Sequence, residues 1–95
     1  MAKPVRVYIE PRAQAVINGF YAAHRAQFLR LVAAIRIAPQ AGVFHARDDR
    51  GRVLWQVSGS DVHVIYTVIY QVEAERVFVV AIEVAPWNPV HSDMP

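Results

Sequence analysis

Two long apolar segments in the second half of the chain constrain the fold more than any other feature. Residues 62–70 and 77–84 are rich in β-branched and aromatic side chains, which predicts two strands. Both faces of each strand are apolar, with Val64 and Tyr66 on one face of the first strand and Ile65 on the other. A sheet with one face in water alternates apolar with polar residues instead. We therefore expect a cover on each face: helices on one, and the tail around Trp87, a second copy of the chain or another protein on the other.

Residues 12–38 have the spacing of helices rather than strands. The clearest amphipathic stripe, at i, i+3, i+4 and i+7, consists of Phe28, Leu31, Val32 and Ile35. Asn18-Gly19 interrupts the pattern, and glycine in a helix interior costs about 1 kcal/mol relative to alanine. The segment predicts two helices, about Arg12–Ala22 and about Arg25–Ala38, bent back as a hairpin near His24. One long helix is the alternative, and Pro39 ends the helical region in both cases.

The rest of the chain predicts further strands and turns. Strands are expected from Val5 to Ile9, over Gly42–Ala46 and over Val53–Val57, with a turn at Ser58–Asp61 and a polar connection at Gln71–Glu75. The resulting order is β-α-α-β-β-β-β. This is an α+β fold with two N-terminal helices packed on one face of a twisted, mainly antiparallel sheet. Ninety-five residues suffice for one domain over 1–95, with 85–95 as a proline-rich tail that cannot join a sheet interior.

Composition and charge exclude several classes of protein. Hydrophobic residues make up 55% and charged residues 19%, which excludes intrinsic disorder, and the lack of cysteine excludes disulfides and thiol chemistry. No leader-like or membrane-spanning apolar segment is present, so we expect a cytoplasmic protein without membrane contact. Residues 1–40 carry six Lys or Arg against one acid, and residues 41–95 carry four against seven. Such polarity suits a phosphate or an acidic partner, or only a solvated Arg-rich helix face.

A resemblance to a known family lies in the segment that connects the third and fourth predicted strands. Gly59-Ser60-Asp61-Val62-His63-Val64-Ile65-Tyr66 resembles the "gDyRviY" hairpin of the RelE/ParE superfamily, the toxins of bacterial type II toxin–antitoxin pairs. The apolar strand ending Val79-Val80-Ala81-Ile82 and the order of elements are also similar, and together they cover the chain from Val5 to about Val84. The sequence departs from the family where His63 replaces the motif's arginine, where Glu83-Val84 replaces "hR", and where no lysine follows Lys3.

The resemblance implies a fold and two activities. Family members place two helices on a twisted antiparallel sheet and bind part of the antitoxin on the opposite, concave face. They either cleave mRNA, commonly in the ribosome, or inhibit DNA gyrase. The implied partners of this chain are therefore an antitoxin protein and the ribosome with its mRNA, or DNA gyrase.

Metal-independent RNA cleavage needs a base, an acid and a cation beside the phosphate. For catalysis the candidates are His63, as base or acid, with Arg50 and Arg52 at the phosphate; for RNA binding they are His45, Arg47 and Arg50. Alternatively, His63 is a hydrogen-bonded sheet histidine and the segment Arg47–Arg52 is a self-neutralising loop. No histidine pair has metal-ligand spacing and no phosphate-cradling glycine loop is present, so neither a metal site nor a cofactor is expected.

Trp87 and Tyr66 are the candidates for partner binding. The alternatives are a tail anchor for Trp87 and a core position for Tyr66, with its hydroxyl at the rim. A different class of function is a catalytically inactive interaction module that self-associates through the free sheet face, which the absent lysines and the replaced arginine favour. A homodimer would be its simplest form.

Overall fold

The computed structural model describes residues 5–60 and 64–86, which form a five-stranded mixed sheet and two helices. The strands are β1 (Arg6–Ile9), β2 (Val43–Arg47), β3 (Val53–Ser60), β4 (Val64–Glu73) and β5 (Arg76–Pro86). The helices are α1 (Pro11–Asn18) and α2 (Ala22–Ile37), followed by a 3₁₀ turn, Pro39–Ala41. The predicted α+β order is therefore confirmed. None of the described helices combines the length and the apolar composition needed to cross a bilayer.

The strands lie in the order β1-β5-β4-β3-β2. β2, β3, β4 and β5 are antiparallel neighbours, as predicted, because only short segments of the sequence separate them. β1 lies parallel to β5, with Tyr8 opposite Phe78, and the intervening helices and strands provide the long crossover that a parallel pair requires. The first and the last strand in sequence, β1 and β5, are therefore neighbours in the sheet.

One hydrophobic core lies between the helices and a single face of the sheet. Its buried members are Ala13 and Ile17 of α1, Phe28 and Ile35 of α2, and Val68, Tyr70, Val77, Val79 and Ile82 of the sheet. Val7 and Ile9 of β1 pack against this core, so Arg6 and Tyr8 point to the opposite face. We call the side of the sheet that faces away from the helices the open face.

The connection between the two helices lies nearer the N-terminus than predicted. α1 ends at Asn18 and Gly19 caps it, with the Gly19 and Phe20 amides bonded to the carbonyls of Val16 and Ile17. Extended backbone at Tyr21 then starts α2 at Ala22, so the predicted bend near His24 and the first helix to Ala22 were wrong. The boundary coincides with Asn18-Gly19, where the helical pattern already weakens; Gly19 itself has a φ of −92°, which other residues adopt as well.

Two predicted connections are shorter than expected, because strands include Ser58–Ser60 of the first and Gln71–Glu73 of the second; Asp61 lies outside the described residues. Ser58, Gly59 and Ser60 pair with β4, and Gly59 lies where a Cβ atom would come within 3.2 Å of Leu31. The glycine thus permits close approach of α2 rather than a turn. Gln71 to Glu73 likewise continue β4, and the turn is confined to Ala74 and Glu75, with Ala74 at a φ of 54°.

The last strand is longer than predicted at both ends. It begins at Arg76 rather than Val77 and continues through Ala85 and Pro86, which pair with Ile65 and Val64. Those two residues had been assigned to the tail. Pro86 is the final residue of the strand, a position where its missing amide hydrogen removes little from the ladder. Residues 87–95 of the predicted tail, including Trp87, lie outside the described residues.

Candidate functional site

A groove that the open face shares with α1 brings together several of the polar residues singled out from the sequence. It has a cavity volume of about 520 Å³. Its apolar lining consists of Leu54, Ile69, Val80, Ala81 and Ile82 of the sheet and of Ala13 and Val16 of α1, and its polar lining consists of Glu10, Arg12, His45, Asp48, Asp49, Arg52 and Glu83. The groove therefore combines an apolar floor with convergent charged groups, which is the usual composition of a binding or catalytic site.

Two β-bulges shape opposite walls of this groove. In β2 the pairing skips His45, because Phe44 lies opposite Trp55 and Ala46 opposite Leu54. In β5 the pairing skips Val80 in the same way, between Val79 and Ala81. A bulge adds one residue to one strand and redirects the side chains near it, and bulges are common beside active sites. Here both extra residues line the groove.

His45 is oriented by a glutamine of the neighbouring strand. Its Nδ1 lies 2.8 Å from Oε1 of Gln56, and because an amide oxygen only accepts hydrogen bonds, Nδ1 donates the proton. In the neutral imidazole, Nε2 then carries the lone pair. His45 was predicted to bind RNA, and this geometry also equips it to act as a general base.

Arg52 is the most constrained cation of the site. Its Nε donates to Oδ2 of Asp48 at 2.6 Å, and its Nη1 donates to Oε1 of Gln71 at 2.8 Å. No described residue accepts a hydrogen bond from Nη2, and 39% of the side chain is exposed. The guanidinium is therefore fixed at two nitrogens, while a third is available to an anion.

Asp48 organises the loop that carries Arg52. Its Oδ1 accepts the backbone amides of Arg50 and Arg52 at 2.9 and 2.8 Å. Burial raises the pKa of Asp48, but these bonds and the Arg52 guanidinium outweigh it and hold the pKa below its ordinary value. The hydrogen bond to Asp48 in turn raises the pKa of Arg52. The loop therefore neutralises itself in part, as the alternative interpretation of Arg47–Arg52 proposed.

The other predicted site residues lie apart from this arrangement. The Arg50 side chain is exposed, and Arg47 donates from Nη1 to the carbonyl of Gly51 at 3.0 Å, which closes the loop on itself. Tyr66 is 1% exposed and faces α2, where its ring lies 5.4 Å from that of His24. The structure thus places Tyr66 away from the open face. His63 and Trp87 lie outside the described residues, so their roles stay predictions.

The second face of the sheet is less apolar than the sequence pattern predicted. Ile65 and Ile69 of β4 do point to the open face, but Thr67 and Gln71 alternate with them. On β3 the same face carries Gln56, which holds His45, and Ser58, whose hydroxyl lies 3.0 Å from that of Thr67. The expectation of an apolar second face is therefore met only in part, and its central strands also carry separate hydrogen-bonded polar pairs.

Sequence reasoning missed the residues that orient the site. Gln56 and Gln71 were assigned to a strand and a connection without a role, although each holds a candidate catalytic side chain. The signal for Gln71 appears only in the structure, where it is 8% exposed and a polar residue at such a position requires a partner. No described group of three or more histidine or acidic residues could hold a metal ion.

Comparison of the chain with protein-family models, with curated proteins and with solved structures finds no match.

Proposed function

We propose that this chain is the toxin of a type II toxin–antitoxin pair, with a RelE/ParE-like fold, and that it cleaves mRNA without a metal ion. The observation that carries the proposal is the paired orientation of His45 and Arg52 in one groove. An amide from an adjacent strand holds each of them, Gln56 for the histidine and Gln71 for the arginine. Fixed geometry of this kind is what a general base and a phosphate-binding cation require.

The proposed reaction divides the work between these groups. Nε2 of His45 accepts the proton of the ribose 2′-hydroxyl, whose oxygen attacks the adjacent phosphorus. Nη2 of Arg52 donates to a phosphate oxygen on which negative charge develops. The bond from phosphorus to the 5′-oxygen then breaks, and that oxygen takes a proton, for which His63 is the candidate acid. The products are a 2′,3′-cyclic phosphate and a free 5′-hydroxyl.

Induction of the gene in a bacterium, with and without the neighbouring small gene, tests the toxin assignment. Induction alone should arrest growth, and coexpression of an antitoxin should restore it. Mapping of mRNA 5′ ends should then show new cleavage sites that disappear in His45→Ala and Arg52→Ala. Arg30→Gln, a charge change on the exposed surface of α2, is the matched control and should cleave like the wild type. Undiminished cutting by both site variants would refute the assignment of these residues.

Gln56 is a positioning residue in this scheme, and its effect should differ from that of a structural residue. Gln56→Leu keeps the size of the side chain but removes the acceptor for Nδ1. We expect a lower kcat on RNA with an unchanged KM, because substrate contacts persist while the base loses its orientation. A rise in KM with unchanged kcat would assign Gln56 to substrate binding instead.

A second candidate is a toxin that inhibits DNA gyrase, or an inactive module that binds a partner. The charge of the groove favours it, since four acids line the groove against two arginines and His45. Such an excess of negative charge is suited to a basic protein segment. Growth arrest with DNA damage and no new mRNA ends would select the gyrase inhibitor. Absence of arrest, with dimers of the isolated chain in light scattering, would select the self-associating module.

A further inference from the structure

We infer that a second part of the open face, formed by Arg6, Tyr8, Arg76 and Phe78, binds single-stranded RNA by base stacking and phosphate contacts. This inference rests on the proposed function, because it extends the groove's substrate along the sheet. The four residues belong to β1 and β5, which lie in parallel register with Arg6 opposite Arg76 and Tyr8 opposite Phe78. We call them the platform.

The platform's two aromatic rings stack on each other, and the outer face of Tyr8 is accessible to a base. The centroids of Tyr8 and Phe78 are 5.5 Å apart, with an angle of 22° between the ring planes. Tyr8 is 42% exposed although it is a large side chain on a strand. Stacked, solvent-accessible rings on a sheet are the element on which single-stranded nucleic acids place their bases, independent of sequence.

The two arginines of the platform are only weakly neutralised by the described residues. Arg6 and Arg76 are directly opposite each other, and like charges in that relation destabilise a sheet. Arg76 lies 5.8 Å above the Phe78 ring and 3.6 Å from Glu73, and that ion pair is half exposed and hence weak. Arg6 forms no ion pair with any described residue. A bound phosphate would relieve this repulsion.

The surroundings provide a path for an RNA strand. A second groove, with a volume of about 470 Å³, runs beside β1 and is lined by Arg6, Tyr8 and Arg36 of α2. In the other direction, Glu10 and Val80 follow Tyr8 and Phe78 by two residues and line the groove that contains His45 and Arg52. A strand bound on the platform would therefore continue directly into the proposed catalytic groove.

Fluorescence anisotropy with a labelled 12-nucleotide 2′-O-methyl RNA, which resists cleavage, tests the platform on the full chain. Tyr8→Leu retains an apolar side chain but removes the ring, and should weaken Kd by roughly 5-fold to 100-fold. Arg6→Gln should reduce the slope of log Kd against log salt by about 0.7, the value for one phosphate on a single strand. Tyr21→Leu and Arg30→Gln are the matched controls, because both residues are exposed on the helical side, and neither should change Kd.

Three results would overturn the platform: unchanged Kd in Tyr8→Leu and Arg6→Gln, equal weakening in the two controls, or no binding by the wild type. Equal displacement of the RNA by polyglutamate of matched charge would overturn it in favour of an acidic protein partner. The proposed function fails by a different readout. A wild type that binds the resistant RNA through the platform but cleaves no mRNA leaves the inference intact and refutes the nuclease. A wild type that cleaves mRNA with a KM that Tyr8→Leu leaves unchanged would support the nuclease and refute the platform.

Discussion

The two sides of β4 show how one strand serves a packed core and a polar site at the same time. Toward the helices it presents Tyr66, Val68 and Tyr70, all fully buried. Toward the open face it presents Thr67, Ile69 and Gln71, and two of these three residues hydrogen bond to neighbouring segments. The first side derives its stability from close packing of apolar groups, and the second from oriented hydrogen bonds. Stability and chemistry are thereby separated across the thickness of one sheet.

Two phenylalanines on opposite sides of the sheet give the largest expected contrast. Phe28→Ala empties a buried position between α2 and the sheet and should lower the free energy of unfolding by about 3–5 kcal/mol. Phe78→Ala removes a partly buried ring from the open face and should cost only about 1–2 kcal/mol. Urea titrations followed by circular dichroism measure both. Since Phe28→Ala approaches the whole stability of a small domain, Phe28→Leu provides a milder variant. Equal losses from Phe28→Ala and Phe78→Ala would show that the open face is packed like the core.

Gly42 tests how tightly the helix-covered side is closed at its edge. The Tyr70 hydroxyl donates to the carbonyl of Pro39 at 2.8 Å, and a Cβ atom at Gly42 would overlap that hydroxyl. Gly42→Ala should therefore reduce stability by about 1–3 kcal/mol through overpacking. Gly19→Ala is the control, because its Cβ would meet only ordinary contact, and it should change stability little. A neutral Gly42→Ala would mean that Tyr70 moves freely, contrary to its burial.

The helix-covered side of the sheet could be predicted from the sequence, because its residues follow apolar periodicity. Alternation along β4 and β5 placed Tyr66 and Val68 on one face, and the stripe from Phe28 to Ile35 identified the helix that covers it. Periodicity reports burial, and burial dominates that side. Periodicity failed to identify Gly59 and Gln71 as strand residues, because tertiary contacts explain their presence there. Gly59 leaves room for Leu31, and Gln71 hydrogen bonds to Arg52.

The candidate site was predictable in residue type but not in arrangement. His45 and Arg52 attracted attention because of their chemistry, whereas their partners Gln56 and Gln71 are 11 and 19 residues away in sequence. Pairing across strands brings them together, and a single sequence contains no local signal for that pairing. The bulges at His45 and Val80 are likewise consequences of register, which the whole sheet determines.

Two adjacent residues of β4 allow a matched pair of substitutions, valine to threonine on the core side and threonine to valine on the open face. Val68→Thr places a hydroxyl against the apolar core, where it should cost about 1–3 kcal/mol. Thr67→Val removes an exposed hydroxyl that lies 3.0 Å from that of Ser58, and should change stability by no more than about 0.5 kcal/mol. Thermal unfolding of both variants in one buffer gives the comparison. A loss for Thr67→Val as large as that for Val68→Thr would indicate that the hydrogen-bonded side is as demanding as the packed one.

The smallest expected effect concerns pH and is confined to the open face. Because the hydrogen bonds from Arg52 and Arg50 hold the pKa of Asp48 below its ordinary value of 3.8, the folded state prefers the ionised carboxylate more than the unfolded state does. Asp48 therefore contributes stability at neutral pH, and that contribution disappears as pH falls from about 5 through the lowered pKa. Asp48→Asn should show a shallower loss of stability than the wild type between pH 5 and about 3, with lower stability at pH 7. Asp49→Asn is the matched control, since it changes the same charge one residue away, and its pH profile should follow the wild type. Parallel profiles for the wild type and Asp48→Asn would mean that the loop is not held by this carboxylate, and Arg52 would then lack the fixed orientation on which the proposed cleavage depends.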